Sequence, residues 1–167
     1  MTRRVRLGHV GLCVADIDAA VAWYRDVLGL ELLDGPRDLR ADADSRAAEV
    51  LGDVFGPAFR CARIAQLGCE GDVGIELFEF AEPRGRRDVA ASYFQHGVSH
   101  VCFQAEDLEG MVERIRAGGG RIRTAVWRER PGRPYRFVHF EDPFGNLLEL
   151  HAHGNREQVL GASAPAP

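Results

Sequence analysis

The period of apolar and polar positions changes several times along the chain, and each change marks an element. Leu7 to Val14 reads as a strand. Asp16-Ile17-Asp18 then offers a helix N-cap, and Ala19 to Leu28 forms an amphipathic helix that Gly29 stops. Leu30 to Leu33 returns to a strand. The same signals recur later: Val98 to Phe103 is strand-like, and Glu106-Asp107-Leu108-Glu109 opens a helix. Its apolar positions Leu108, Met111, Val112 and Ile115 keep the i, i+3, i+4, i+7 spacing until Gly118 to Gly120. The two stretches superimpose at an offset of 91 residues, with six identities over the 21 positions from 9 to 29. His9 falls on His100, Val10 on Val101, Asp16 on Asp107, Val21 on Val112, Arg25 on Arg116 and Gly29 on Gly120. This is an internal repeat, with strand, cap and helix stop in phase.

Each half continues in strands. In the second, Arg121 to Glu129 runs up to a turn at Arg130-Pro131-Gly132-Arg133-Pro134, and Tyr135 to Phe140 runs back. Asp142-Pro143-Phe144-Gly145-Asn146 is a second turn signal, feeding the strand Leu147-Leu148-Glu149-Leu150. In the first half, Phe59 to Leu67 and Val73 to Phe80 play the same parts, so Ile75-Glu76-Leu77 is the counterpart of Leu148-Glu149-Leu150. The longer first half carries an insertion at about 34–58, with a helical turn or two expected within Asp42 to Leu51. The expected organisation is a first strand–helix–strand–strand–strand module over 1–81, a linker over 82–95 with helix around Val89 to Phe94, and a second module over 96–154. A disordered tail is expected over 155–167.

Composition narrows the classes without choosing among them. With 167 residues, 46% hydrophobic and 28% charged, the chain is long enough for one domain or two small halves. A net charge of −4 gives no nucleic-acid surface, and the arginine clusters at Arg84 to Arg87 and Arg128 to Arg133 read as solvated loops. No apolar run suits a signal peptide or a membrane span. The four cysteines show no CxxC pairing. Cys13 and Cys102 sit in apolar strand patterns and are expected as core thiols of a protein in the reducing cytoplasm.

The repeat also places chemistry. A lone histidine on an apolar strand is ordinarily a satisfied core or surface residue, and a lone strand glutamate ordinarily faces water. Here His9, Glu76, His100 and Glu149 stand at repeat-equivalent positions. Imidazole and carboxylate together suit zinc, nickel, cobalt, manganese or iron, and a cation makes two glutamates tolerable on apolar strands. By period-two alternation His151 and His153 share the face of Glu149, and Tyr135, Phe137 and His139 alternate together on the neighbouring strand.

On His9-Val10-Gly11-Leu12, Trp23-Tyr24-Arg25-Asp26-Val27-Leu28-Gly29-Leu30, Gly97-Val98-Ser99-His100-Val101 and Asp142-Pro143-Phe144-Gly145-Asn146 to Glu149, the chain resembles the vicinal oxygen chelate superfamily. That superfamily includes glyoxalase I, methylmalonyl-CoA epimerase, extradiol dioxygenases and the fosfomycin- and bleomycin-resistance proteins. The resemblance implies an α+β fold of two tandem βαβββ modules forming a cupped, open mixed sheet barrel with helices outside. It also implies one divalent metal ion held by His9, Glu76, His100 and Glu149, a small-molecule substrate with vicinal oxygens, and a homodimer. The ligand set matches glyoxalase I, where a glutamate, here Glu149 or Glu76, moves a proton through a metal-stabilised enediolate. The expected function is therefore a glyoxalase I-like lyase or isomerase. An extradiol dioxygenase is the alternative, weakened because Glu76 occupies a position that is normally not a ligand and His139 stands where those enzymes usually have tyrosine. A metal-free, resistance-type binding protein is the alternative of another class.

Overall fold

A computed structural model describes residues 5–41, 46–71, 73–87, 93–94 and 96–163. The chain divides into two compact units, Met1–Asp88 and Val89–Pro167. The described residues hold two mixed sheets and four helices, an α+β architecture.

The first unit runs β1 (His9–Cys13), α1 (Ile17–Asp26), β2 (Glu31–Arg40), α2 (Arg46–Phe55), β3 (Cys61–Gly68) and β4 (Gly74–Glu82). Its strands lie in the order β1-β4-β3-β2, with β1 parallel to β4 and the other pairs antiparallel. Asp16 caps α1, its carboxylate accepting from Ala19 N at 3.0 Å, and Gly29 ends it with φ +79°. The helix buries Ile17, Ala20, Val21, Trp23 and Tyr24 and packs across β2, β3 and β4. Fully burying a side chain such as Ile75, Leu77 or Leu67 contributes about 1.5–3 kcal/mol. A one-residue slip of β4 would forfeit several such terms at once, which fixes the face that Glu76 occupies.

The expected insertion is divided differently from the reading at 34–58. β2 runs on to Arg40, which pairs with Cys61, and register shifts between Leu32 and Arg37 absorb the turn-like Asp34-Gly35-Pro36. The helix α2 accounts for the rest. It brings Leu51 and Phe55 to a cluster with Leu39, Phe59, Ala62, Ile64, Phe78 and Phe80. β3 is therefore buried on both faces, Ala65 and Leu67 on one and Ala62 and Ile64 on the other.

The second unit runs β5 (Val101–Gln104), α3 (Leu108–Ala117), β6 (Arg121–Ile122), β7 (Trp127–Arg128), β8 (Arg136–Glu141), β9 (Leu147–His151) and α4 (Asn155–Ser163). The strand order is β5-β9-β8-β6, with β7 also pairing with β8 and β5 parallel to β9. Asp107 caps α3 by accepting from Gly110 N at 2.9 Å. Leu108, Val112 and Ile115 are buried on the helix, as are Val138, Phe140, Leu148 and Leu150 on the strands.

Three expectations change here. The run from Arg121 to Glu129 is two short strands rather than one, because Thr124 Oγ1 accepts from His139 N at 3.1 Å and so replaces a backbone partner of the ladder. The expected disordered tail is helical over Asn155–Ser163. It forms α4, which buries Gln158 with its amide 3.2 Å from Glu129 Oε2. Cys13 and Cys102 are exposed rather than core thiols, since alternation puts them with His9 and His100 and opposite the faces that α1 and α3 cover. The helix expected around Val89 to Phe94 falls largely outside the described residues. No helix among them is long and apolar enough to cross a membrane.

Candidate metal and proton-transfer site

The turn ahead of β9 sets the position of Glu149. The Asp142 carboxylate accepts from Phe144 N at 3.0 Å, Asn146 N at 2.7 Å and Asn146 Nδ2 at 2.8 Å, and Gly145 takes φ +84°. Such an Asx-type turn pins the register. Leu148 and Leu150 then point into the core while Glu149 and His151 share the opposite face.

Glu149 is 8% exposed, and each of its oxygens is engaged. His100 Nε2 lies 3.1 Å from Oε2, whereas His139 Nε2 and His151 Nε2 lie 3.2 and 3.1 Å from Oε1. Ser99 Oγ is 2.9 Å from His100 Nδ1 and occupies that nitrogen, which directs Nε2 toward the carboxylate. The corresponding Nδ1 atoms of His139 and His151 are buried without a hydrogen-bond partner. Burial pulls His139 below the usual imidazole range, aided by His100 and His151 and opposed by Glu149. Tyr93 packs edge-on to His139 and His100, with ring centroids 5.5 and 6.5 Å apart. Cys102 pairs with Glu149 across the β5–β9 ladder. Although the residue is exposed, its sulfur side is shielded from water by the surrounding protein, and that desolvation first, then the Glu149 charge, push the thiol up to about 12.

The first unit repeats the motif with other linings. His9 Nε2 lies 3.4 Å from Glu76 Oε2, and the Gln66 amide donates to Glu76 Oε1. Gln66 stands ten residues before Glu76, as His139 stands ten before Glu149. Gly11 occupies the place of Cys102, and Phe78, inside the aromatic cluster, occupies that of His151. Of the four expected ligands, His9 and Glu76 meet within the first unit, and His100 and Glu149 within the second. The pairing of Gln66 with Glu76 and the approach of Tyr93 to the histidines were not read from the sequence. The ten-residue offset from each glutamate was the available signal for Gln66.

The donor set suits a divalent cation. In each unit an imidazole nitrogen and a carboxylate oxygen face one another, and in the second unit ligand atoms of Cys102, Glu149 and His151 lie within 4.8 Å of one another. The imidazole nitrogen and carboxylate oxygen of each pair match zinc, cobalt, nickel or iron better than calcium or magnesium.

Two mixed-sheet units, each with its own His–Glu pair on the sheet face away from its first helix, define a protein of two repeated modules. The chain belongs to the Glyoxalase/Bleomycin resistance protein/Dioxygenase superfamily, whose family model matches residues 6–150. It is 31% identical over 151 residues to a 2-epi-5-epi-valiolone epimerase from an Actinomyces species, covering 87% of this chain and 78% of that protein. It is 29% identical over 147 residues to an ethylmalonyl-CoA/methylmalonyl-CoA epimerase from Cereibacter sphaeroides, covering 87% and 96%. A lactoylglutathione lyase from Haemophilus influenzae matches at 24% over 155 residues, covering 92% and 96%. Among solved structures, a glyoxalase family protein from Bacillus cereus superimposes with a TM-score of 0.75 at 26% identity, covering 90% of this chain and 95% of that one. These relatives support an enzyme of lyase or isomerase type.

Proposed function

We propose that the protein is a divalent-metal-dependent isomerase that moves a proton at a carbon next to a carbonyl, in a small substrate with two neighbouring oxygens. His9, Glu76, His100 and Glu149 are its metal ligands, and Glu76 and Glu149 are its proton-handling groups. The observation that carries this reading is the repeated His–Glu pair, each pair with a further donor on the second carboxylate oxygen. The two relatives of highest identity named above are epimerases, which favours inversion at one carbon over the lyase-type transfer between two carbons expected from the ligand set alone.

A bound divalent cation would supply Lewis-acid polarisation of the substrate's oxygens. The chain's own work is proton handling. One glutamate removes the proton from the carbon beside the carbonyl, and the electron pair of the broken C–H bond shifts onto the carbonyl oxygen. A proton returned to that carbon from the opposite face gives the epimer, with no net oxidation. Gln66 donates to Glu76 Oε1, which leaves Oε2 of that carboxylate beside His9. Glu149, engaged by three imidazoles, is the better fixed of the two.

The test is solvent exchange. Metal-reconstituted protein incubated in D2O with 2-epi-5-epi-valiolone or methylmalonyl-CoA is expected to introduce deuterium at the carbon next to the carbonyl, followed by NMR. A chelator or Glu76→Gln should suppress the exchange. Absence of exchange with both probes, together with oxygen uptake on catechols, would replace this reading with the dioxygenase one. The reading includes a homodimer, which sedimentation checks.

A further inference from the structure

The three histidines around Glu149 are not equivalent. His100 has its Nδ1 engaged by Ser99 and its Nε2 directed to Glu149 Oε2. This is how a ligating imidazole is commonly held, with its second nitrogen fixed by an outer partner. His139 and His151 lack such a partner: their Nδ1 atoms are buried and unpaired, and both Nε2 atoms converge on the other oxygen, Oε1. If Nε2 were bound to a cation, each ring would keep its proton on Nδ1 as a buried, unsatisfied N–H. If Nε2–H donates to Glu149, only a bare lone pair is left at Nδ1, the less costly of the two omissions.

The repeat supplies an independent comparison. Gln66, at the position equivalent to His139, can act toward a carboxylate through its Nε2 only as a hydrogen-bond donor, and it makes that contact with Glu76 Oε1. The same place in the two units is therefore filled by two chemically different side chains with one shared property, an N–H aimed at Oε1.

We propose that His139 and His151 are positioning residues, whose Nε2–H groups hold Glu149 Oε1 so that Oε2 is presented beside His100 to the cation. This rests on the metal reading above and adds to it which carboxylate oxygen is the ligand and what orients it. Two strands share the work: β8 brings His139 opposite Glu149, and β9 brings His151 to the same face two residues on.

The experiment measures cobalt(II) binding to the metal-free full-length chain by titration, in wild type and in His139→Gln, His139→Phe, His151→Gln and His151→Phe. Each Phe variant should bind roughly 10–100-fold more weakly, the usual consequence of losing an outer partner, while each Gln variant, which keeps a donor, should stay near wild type. Phe variants that bind as wild type does, or Gln variants as weak as Phe, would overturn the proposal. The latter result would mean that the ring nitrogens are themselves ligands. Wild type that binds no cobalt, zinc or nickel would instead remove the metal reading beneath it. Nitrogen-15 NMR of the metal-free wild type provides a check free of folding effects. The proposal requires both rings as Nε2–H tautomers, and Nδ1–H tautomers would refute it.

Discussion

Glu76 and Glu149 occupy the same place in two copies of one design, yet their surroundings differ in kind. Beside Glu149 the sheet face carries His100, Cys102, His139 and His151. Beside Glu76 the equivalent positions are His9, Gly11, Gln66 and Phe78. In the first unit, the segment that lengthens the chain uses α2 to cover the neighbouring strip with Phe55, Phe59, Phe78 and Phe80. In the second unit His151 and His153 stand in place of Phe78 and Phe80, beside Phe137 and Tyr135. Even the turn before the glutamate strand is supported differently. Cys69 N donates to Val73 O at 3.0 Å much as Asp142 N donates to Asn146 O at 3.1 Å, while the Asp142 carboxylate adds three acceptor contacts. The backbone repeat thus specifies where a carboxylate sits. The side chains two and ten residues away decide how tightly it is held and what lies next to it.

The comparison breaks most severely where the aromatic cluster is cut. Phe59 is 2% exposed and touches Phe55 and Phe80 with ring centroids 4.9 and 6.2 Å away. Phe59→Ala should cost about 3–5 kcal/mol in denaturant unfolding, with no counterpart in the second unit. Next is Asp142→Ala, which leaves the Phe144 and Asn146 amides without their acceptor. A loss of about 1–3 kcal/mol is expected, together with weaker metal retention as the register of β9 loosens.

A smaller effect should come from making the halves alike. Gln66→His copies His139 and should preserve metal affinity. Gln66→Leu removes the donor and should weaken affinity by roughly 10-fold or more, read by metal titration. The smallest effect is expected at Cys102. Cys102→Gly copies Gly11 and should leave metal affinity unchanged, because the thiol is not one of the ligands in this account. In metal-free protein its raised pKa keeps it protonated at pH 8, so alkylation by iodoacetamide should be slower there than for a free cysteine.

Much of this arrangement is legible in the sequence, for identifiable reasons. Asp16 and Asp107 announce helix starts because a carboxylate is one of the few side chains able to accept from the free amides of a first turn. The paired histidines and glutamates stand out because a repeat makes their coincidence visible. The faces of Cys13 and Cys102 were not legible. A strand flanked by apolar residues on both sides does not show which alternate set a helix will cover, and sulfur fits either. The helix at Asn155–Ser163 was hidden by its polar and small residues, since its burial depends on Gln158 meeting Glu129 rather than on an apolar stripe. The division of the insertion between β2 and α2 was hidden by Asp34-Gly35-Pro36, which reads as a turn yet is absorbed as an irregularity within a strand. Gln66 is not legible because an amide among strand residues carries no chemical signature of its own. Only its distance from Glu76 marks it.

The most direct test of the account is the stoichiometry and affinity of zinc on the metal-free chain, compared among wild type, Glu76→Ala and Glu149→Ala. The account expects one ion per chain in wild type, and in both variants a loss larger than the roughly 10–100-fold typical of an outer partner. Tight binding that survives Glu76→Ala would contradict it, because the first unit's pair would then not be part of the metal site.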